Sequence, residues 1–313
     1  MIFITEMAKH IRKKGKETHR QSTLTVIATA ELLDFLMLNI KDKSRNKVKA
    51  LLAHKQIKVG NDIVTQFNHE LKPDDKVVIS WDGPFKKVIY QGLKVVFEDD
   101  SIIVINKRAG LLSVGTTKER KTTAYRIVTD HIKQEDSAAH LFVVHRLDRD
   151  ASGLMVFAKT RAAFQELTDT WSDTAMKRKY LVITQGTMEK DEDSISSFLK
   201  ESKALIVYSG TNPKDSKKGV SHYSVVKKNE YYTLLEAWQE TEHKHQLRAQ
   251  LTGIKHPIVG DKKYGATENP LGRMAFHSKV LTFLHPVTHQ EVTFETKVPD
   301  DFLMIFRQKY YES

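Results

Sequence analysis

Apolar residues in the first part of the chain recur at helical spacing. One such stripe covers residues 32–37, and a second helix is predicted after Ser44, whose hydroxyl suits an N-cap position. Apolar runs at 57–64 and 77–79, interrupted by turn residues, predict a small hairpin and a further strand. This pattern predicts a small α/β domain.

From about residue 93 onward the pattern changes to many short strands and few helices. Helical spacing is found chiefly at 161–171 and 245–254. The segments that are strand-like by length and residue type are 93–97, 102–105, 141–144, 154–158, 180–183, 205–208, 220–226, 232–238 and 292–294. We therefore predict an α+β domain built on a mixed, mainly antiparallel β-sheet.

Turn residues at positions 81–84 mark a boundary between these two parts. The predicted division is a basic flexible extension at 1–23, a small domain at 24–82, a linker at 83–90 and a larger domain at 91–313. For the extension, a solvated tail without contacts is the alternative interpretation.

The net charge of the chain is positive, and the positions of its basic residues indicate which class of partner this charge favours. The chain has 50 Lys and Arg residues against 39 Asp and Glu, a net charge of +11 that favours a polyanion such as nucleic acid. Residues 41–58 hold seven basic residues and one acid, so more than half of the excess lies there. The candidate residues for binding such a polyanion are Ser44, Arg45, Lys47, Lys49 and Lys55. A helical dimerisation domain with a charged face is the alternative.

Missing sequence features exclude several kinds of chemistry. The chain has no cysteine, and so no disulfide, thiolate-metal site or cysteine nucleophile. It shows no GxGxxG or P-loop motif and no long apolar span, so we expect no nucleotide cofactor, no membrane contact and a cytoplasmic location. His243-Lys244-His245 lacks a clear carboxylate as a third ligand, so we expect no metal there.

The strongest candidate for chemistry is a charged loop between two apolar strands. It contains His145-Arg146-Leu147-Asp148-Arg149 and ends at a Ser-Gly pair before the second strand. Asp148 could act as a nucleophile or as a general base. The residue types alone allow a structural ion network equally well.

This loop resembles the hallmark of the RluA family of pseudouridine synthases, a His-Arg-Leu-Asp stretch followed by Ser-Gly and a hydrophobic strand. Here Ala151 stands where the family more often has Thr, and Arg108 replaces the usual Pro in a stretch at 104–111 that resembles the upstream motif. Further stretches that resemble family motifs, in the family's order, are 177–181, 245–248, 256–261 and 264–265. The resemblance covers about residues 93–300.

The resemblance implies that the larger domain isomerises uridine to pseudouridine in structured RNA. Asp148 would be the catalytic carboxylate and Arg248 its partner, while Tyr180 would stack on the base and assist proton removal. A uridine in folded RNA must be extruded, at a cost of a few kcal/mol, and Arg146 would help fill the vacated space. Whether Asp148 attacks the sugar, adds to the base or abstracts a proton stays open.

The remaining expectations concern the substrate. The residues predicted to bind it are His145, Arg146, Leu147, Arg149, His245, Gln246 and Leu247. Glu242-His243-Lys244 stands where the family commonly has Gly-Arg-Thr, which bears on the choice of RNA. Ribosomal RNA is the favoured substrate and transfer RNA the alternative. No redox cofactor is required, and a monomer is expected.

The smaller domain resembles the alpha-L RNA-binding motif over residues 24–81, through its order of elements and its Lys72-Pro73-Asp74-Asp75 turn. Two other functions compete with a synthase. A non-catalytic RNA-binding or ribosome-assembly protein could share the scaffold, although Asp148, Tyr180 and Arg248 argue against it. A metal-dependent nuclease would need clustered acids, which the sequence lacks.

Overall fold

The computed structural model describes residues 21–60, 62–85, 90–116, 119, 122–170 and 177–307. The chain divides into two compact units, of which the first ends at residue 89 and the second begins at residue 90. Residues 1–20 of the predicted extension and residues 86–89 of the predicted linker lie outside the described residues.

Two helices and a four-stranded antiparallel sheet share one apolar core in the first unit. The strands follow one another in the order β1-β6-β3-β4, and β2 pairs with β5 separately. Its elements are β1 Gln21–Thr25, β2 Ala30–Glu31, α1 Leu32–Asn39, α2 Arg45–Ala53, β3 Ile57–Val59, β4 Asp62–Ile63, β5 Glu70–Leu71 and β6 Lys76–Ser80. Both predicted helices and the predicted hairpin are confirmed.

Strand β1 corrects one predicted boundary. The sequence assigns residues 21–23 to the flexible extension, whereas Gln21 pairs with Ser80 and Thr23 with Val78 in the sheet. The segment is polar and half-exposed at the edge of the sheet, so it lacks the apolar alternation from which a strand is recognised.

The candidate RNA-binding residues all lie on the surface of the first unit. Ser44 occupies the N-cap position of α2, but its side chain makes no capping hydrogen bond, and its carbonyl oxygen accepts from the Val48 amide at 3.1 Å. The Lys49 ammonium lies 5.5 Å from the ring centroid of Phe67, an exposed aromatic residue. The exposed candidates are Ser44, Arg45, Lys47, Lys49 and Lys55.

The second unit is built on an eleven-stranded sheet. Its strands are β7 Leu93–Glu98, β8 Ile102–Lys107, β9 Phe142–Val143, β10 Ser152–Ala158, β11 Lys177–Gln185, β12 Glu192–Glu201, β13 Val207–Gly210, β14 Lys217–Lys228, β15 Tyr232–Gln239, β16 Phe276–Leu284 and β17 Glu291–Glu295. Its helices are α3 Ala124–Glu135, α4 Arg161–Thr170, α5 Gln246–Gly253 and α6 Asp300–Met304, with a short 3-10 helix at Lys262–Tyr264.

The strands are arranged in the order β13-β12-β14-β15-β11-β16-β10-β8-β7, with β9 beside β10 and β17 beside β16. The β10–β16 pair is parallel, while the other pairs are antiparallel. This confirms the predicted α+β class with a mixed, mainly antiparallel sheet. Strand β16 lies between β11 and β10, and so joins the two parts of the sheet.

Both faces of the central strands are covered. In β10, Met155 and Phe157 belong to the main core, whereas Leu154 and Val156 belong to a second cluster on the opposite face. Successive side chains of a strand point to opposite faces, so a strand buried on both sides is apolar throughout. The whole of β10 is buried accordingly.

Gly153 allows β10 and β16 to approach closely. Its φ is +112°, and a Cβ at this position would lie 2.2 Å from the Ser278 oxygen in β16. Only glycine fits this backbone conformation and this separation without a shift. The charged loop of the larger domain therefore ends at a fixed point of the sheet.

Several elements differ from the sequence-based predictions. Helix α3 and strands β12 and β16 were not predicted, and β13 begins at Val207 because Leu205 has a φ of +58° in the preceding turn. Among the described residues, no helix is both long enough and apolar enough to cross a membrane.

Candidate active site

The charged loop between β9 and β10 is fixed by hydrogen bonds on both sides of Asp148. The Ser113 hydroxyl donates to the Leu147 carbonyl at 2.6 Å and accepts from the Leu147 amide at 3.2 Å. On the other side, the Lys107 ammonium donates to the Ala151 carbonyl at 2.6 Å. Asp148 itself is 39% exposed, so a rigid loop presents an accessible carboxylate.

Lys107 is fully buried and connects this loop to the one that follows β8. Its ammonium is surrounded by carbonyl oxygens at 2.6 to 3.1 Å, which belong to Arg108, Leu111, Arg149 and Ala151. Burial lowers the pKa of Lys107 to about 8. Because carbonyl dipoles solvate the ammonium from several directions, one side chain holds two loops together.

Asp148 makes an ion pair with Arg248, and a second carboxylate holds the Arg248 guanidinium in place. Arg248 Nη1 lies 2.7 Å from Asp148 Oδ2. The same guanidinium donates to Asp261 through Nε at 2.6 Å and through Nη2 at 2.7 Å. Asp261 is 2% exposed, and this two-point contact defines the plane of the guanidinium. Arg248 is thereby aimed at Asp148.

The electrostatic surroundings keep Asp148 ionised. Burial acts to raise the pKa of Asp148, but the neighbouring His245 ring and the charge of Arg248 outweigh it and lower the pKa to about 2. This is the effect expected when a carboxylate contacts a cation. At neutral pH the group is therefore an anion.

His245 adds a second contact to Asp148. Its backbone is left-handed at the N-cap of α5, and its Nε2 lies 3.6 Å from Asp148 Oδ1. The other ring nitrogen, Nδ1, lies 2.9 Å from the Tyr264 hydroxyl. The Arg248 guanidinium stacks over the Tyr264 ring at 4.7 Å. Tyr264 thus supports both residues that contact the carboxylate.

Tyr180 lies in β11, where it pairs with Ser278 of β16, the residue that Gly153 of β10 also faces. Its ring is 7% exposed and lies 5.0 Å from the ring of Phe276 in β16, at an angle of 49°. Burial raises the pKa of Tyr180, and the charge of Arg178 only partly offsets this effect. The hydroxyl is therefore protonated at neutral pH.

Arg178, two residues before Tyr180 on the same face of β11, contacts the loop that precedes α5. Its side chain is 15% exposed. Its Nη1 donates to Glu242 Oε1 at 2.6 Å, and its Nη2 contacts Glu242 Oε2. Glu242, the acidic departure from the family pattern, thus has a defined partner.

The geometry does not support substrate contact for some predicted residues. His145 is buried, and its Nε2 accepts a hydrogen bond from the Val156 amide at 3.1 Å. Burial lowers the pKa of His145 to about 3, so the ring is neutral. Gln246 is 1% exposed, and its amide nitrogen donates to the Val220 carbonyl at 3.0 Å. Both side chains are committed to holding the fold.

The other predicted residues divide between core and surface. Leu147 and Leu247 are buried in the main core. Arg146 and Arg149 are exposed, and Arg149 Nε donates to the Gly110 carbonyl at 3.2 Å. The two arginines are therefore accessible to a substrate. The two leucines anchor the loop and α5 to the core.

Sequence reasoning assigned no role to several residues that shape the site. Asp261 and Tyr264 lie in stretches that resemble family motifs, so their positions were visible but their contacts were not. Arg178 lies in a stretch that resembles a family motif and Glu242 was recognised as a departure, but their pairing was not predicted, and neither was the position of Phe276. Among the described residues, no group of three or more His, Asp or Glu side chains is placed to hold a metal ion.

Comparisons with known proteins bear on the family of this chain. Residues 101–252 match the family model for RNA pseudouridylate synthase. The Bacillus subtilis protein named uncharacterized RNA pseudouridine synthase YjbO is 30% identical over 69% of this chain and 76% of its own length. Ribosomal large subunit pseudouridine synthase D of Vibrio cholerae is 29% identical over 84% of this chain and 86% of its own length.

The fold is also found in solved structures. Human RNA pseudouridylate synthase domain containing 4 superimposes with a TM-score of 0.57 over 68% of this chain and 91% of its own, at 21% identity. This similarity shows the fold, and the relatives in sequence show the family. The chain belongs to the RluA family of RNA pseudouridine synthases, the enzymes that isomerise uridine to pseudouridine in RNA.

Proposed function

We propose that the protein isomerises specific uridines of ribosomal RNA, with Asp148 as the catalytic carboxylate. Several relatives bear the name ribosomal large subunit pseudouridine synthase D, which supports ribosomal RNA as the substrate. One of them, from Nitrosomonas europaea, is 33% identical over 69% of this chain.

The observation that carries the proposal is the state of Asp148. Isomerisation breaks the bond between the uracil nitrogen and the sugar, turns the base over and joins a ring carbon to the same sugar carbon. An ionised, accessible carboxylate can attack the sugar, add to the base or remove a proton. Asp148 is such a group, since Arg248 and His245 keep it charged while leaving it 39% exposed. Asp261 fixes Arg248 before the substrate arrives, so little reorganisation is needed.

Tyr180 and the exposed arginines have supporting roles in this proposal. The flat ring of Tyr180 stacks on the extruded base, and its hydroxyl assists removal of the proton from the newly bonded ring carbon. Arg146, two residues before Asp148, enters the space that the extruded base vacates, and Arg149 contacts the RNA backbone. Both arginines are exposed on the loop that carries the carboxylate.

The first unit is proposed to bind RNA. Its candidate residues Arg45, Lys47, Lys49 and Lys55 are exposed, and the surface of α2 is therefore cationic. Phosphate contacts by such residues add affinity without sequence preference. The unit would hold a folded RNA while the second unit selects the uridine.

We also propose that the enzyme acts as a monomer in the cytoplasm, without a metal ion or a redox cofactor. The reaction exchanges no electrons with a second molecule, and Arg248 already supplies the cation beside Asp148. Turnover should therefore persist in a chelator, and analytical ultracentrifugation should give the mass of one chain, 35.9 kDa.

The test uses total RNA that lacks its native pseudouridines. Wild type and Asp148→Asn are incubated with this RNA, and pseudouridine is mapped site by site. The proposal predicts new pseudouridine in ribosomal RNA with wild type alone, while Asp148→Asn stays folded and still binds RNA. Modification of transfer RNA instead would correct the substrate. Binding without modification by wild type would refute the proposed catalysis and favour an RNA-binding role.

A further inference from the structure

Tyr264 is held firmly at the point where it meets His245. It ends the short 3-10 helix Lys262–Tyr264, and its backbone carbonyl accepts from the Thr252 hydroxyl of α5 at 3.1 Å. Its amide donates to the Asp261 carbonyl at 3.0 Å. The residue is 5% exposed. The Tyr264 hydroxyl therefore has a fixed position beside the start of α5.

The Tyr264 hydroxyl has two hydrogen-bond partners in the described part of the chain. The Val207 amide at the start of β13 donates to the hydroxyl oxygen at 3.1 Å. The second partner is Nδ1 of His245, at 2.9 Å. An amide N–H can only donate, so the proton of the hydroxyl is left for the histidine nitrogen. Nδ1 of His245 is therefore the acceptor in this hydrogen bond.

The role of Nδ1 decides which nitrogen of His245 carries the proton. A neutral imidazole has one N–H, so the proton lies on Nε2 when Nδ1 accepts. Nε2 is the nitrogen that lies 3.6 Å from Asp148 Oδ1. The opposite tautomer would place the Nε2 lone pair against an anionic oxygen, which is electrostatically unfavourable. The separation exceeds that of a formed hydrogen bond, and catalytic contacts are often long before substrate binds.

We propose that Tyr264 is a positioning residue for His245, whose tautomer it selects so that an N–H faces Asp148 during the reaction. The inference rests on the proposed function, in which Asp148 is the catalytic carboxylate. Arg248 already donates to Asp148 Oδ2 at 2.7 Å. With this tautomer each carboxylate oxygen faces a donor of its own, which holds the carboxylate in one orientation toward the substrate.

NMR of the histidine rings reads the tautomer without any assay of activity. In protein isotopically labelled at the histidine nitrogens, proton–nitrogen correlations distinguish the two neutral tautomers and the charged ring. Spectra are recorded at a mildly alkaline pH, where imidazole is neutral, and the signal that disappears in His245→Gln belongs to His245. Wild type should show the Nε2–H tautomer, and Tyr264→Phe should show a mixture of both. An Nδ1–H tautomer in wild type would overturn the inference, as would an unchanged tautomer in folded Tyr264→Phe.

Single-turnover pseudouridine formation shows whether the tautomer matters to the reaction. Tyr264→Phe keeps the ring that stacks on Arg248. It should slow the single-turnover rate about fivefold to tenfold, the loss expected for one hydrogen bond. The control is Tyr232→Phe, which removes a buried hydroxyl that contacts Glu268 and should change neither the rate nor the tautomer.

A second background shows whether the effect passes through His245. In His245→Gln the side-chain amide can turn its own N–H toward Asp148 without help from Tyr264, so Tyr264→Phe should slow this variant less than it slows wild type. Equal slowing in the two backgrounds would mean that Tyr264 acts by another route, and the inference would fail. If wild type makes no pseudouridine, the proposed function itself fails, whereas the histidine spectrum still tests the tautomer.

Discussion

The close approach of β10 and β16 at Gly153 makes a quantitative prediction about stability. In Gly153→Ala the new Cβ would lie 2.2 Å from the Ser278 oxygen and 2.5 Å from its nitrogen, both backbone atoms of the neighbouring strand. Ordinary contacts begin near 3.4 Å, so the strands must separate by more than 1 Å. Flexible side chains cannot absorb this change, because the obstructing atoms belong to the sheet.

The cost has two parts. A residue with a side chain at a φ of +112° is strained by about 1–3 kcal/mol. Overpacking against backbone adds about 1–3 kcal/mol, so Gly153→Ala should lose about 2–6 kcal/mol of unfolding free energy. Gly272→Ala is the matched control, since Gly272 has a φ of +67° but no atom within 4 Å of the point that a Cβ would occupy. The control should lose about 1–2 kcal/mol.

Urea denaturation followed by circular dichroism gives both values, and single-turnover assays report the site. Gly153→Ala should also lose activity, because β16 connects the strand that follows Asp148 to the strand that carries Tyr180. A loss no larger than that of Gly272→Ala would refute the reasoning. It would mean that the two strands separate at little cost and that the close contact does not determine the position of the loop.

Three further predictions follow from the charged groups. Lys107→Met should destabilise the protein by about 3 kcal/mol or more in urea denaturation and should slow turnover, because the buried carbonyl oxygens lose their hydrogen-bond donor. The control is Lys94→Met at an exposed position, which should change neither stability nor turnover. In wild type the lowered pKa of Asp148, about 2, keeps the single-turnover rate free of an Asp148 titration between pH 4 and 7. In Arg248→Gln the effect of burial on Asp148 dominates and its pKa rises, so the single-turnover rate should fall as the pH drops from 7 to 4. An unchanged pH profile in this variant would contradict the role of Arg248 in keeping Asp148 ionised. Replacing Lys47 and Lys49 with Gln should reduce the slope of log affinity against log salt by about 1.5, with Lys190→Gln as the control. An unchanged slope would argue against RNA contact by α2.

The sequence predicted the strands of the sheet that are apolar. The strands that were missed contain several polar residues. Strand β10 is buried on both faces, so its residues form a continuous apolar run that marks a strand. Strand β16 is also central, but it contains His277, Ser278 and Lys279. The His277 ring lies 2.8 Å from the Ser152 hydroxyl, a partner 125 residues away. A buried polar residue satisfied by such a distant partner looks like a surface residue in the sequence.

Helix α3 was missed although its signal is present. Ala124, Val128 and Ile132 recur every fourth residue and are buried. The Thr123 hydroxyl accepts from the Arg126 amide at 3.1 Å, the expected N-cap hydrogen bond. Charged residues between these positions obscured the apolar stripe. The miss was therefore one of interpretation, unlike that of β16.

For the site, the sequence identified residue types but not their contacts. Asp148 and Arg248 are 100 residues apart and meet at 2.7 Å, as the family resemblance implied. His145 and Gln246 belong to the same motifs, and each is buried and hydrogen-bonded to the backbone, which the sequence did not indicate. A sequence motif contains residues that stabilise the fold as well as residues that take part in the chemistry. The two groups can be distinguished only when the hydrogen bonds of each residue are known from the structure.

The place of β16 in the sheet bears on the synthesis of the protein. Asp148 belongs to the part of the sheet made early, with β8 and β10, while Tyr180 and Arg248 belong to the part around β11 and α5. The strand between these parts, Phe276–Leu284, is synthesised after both of them. Such long-range pairing is slow to form. A nascent chain that ends before residue 276 would hold two incomplete sheets and a carboxylate separated from its arginine, so the enzyme should stay inactive until this strand has been synthesised.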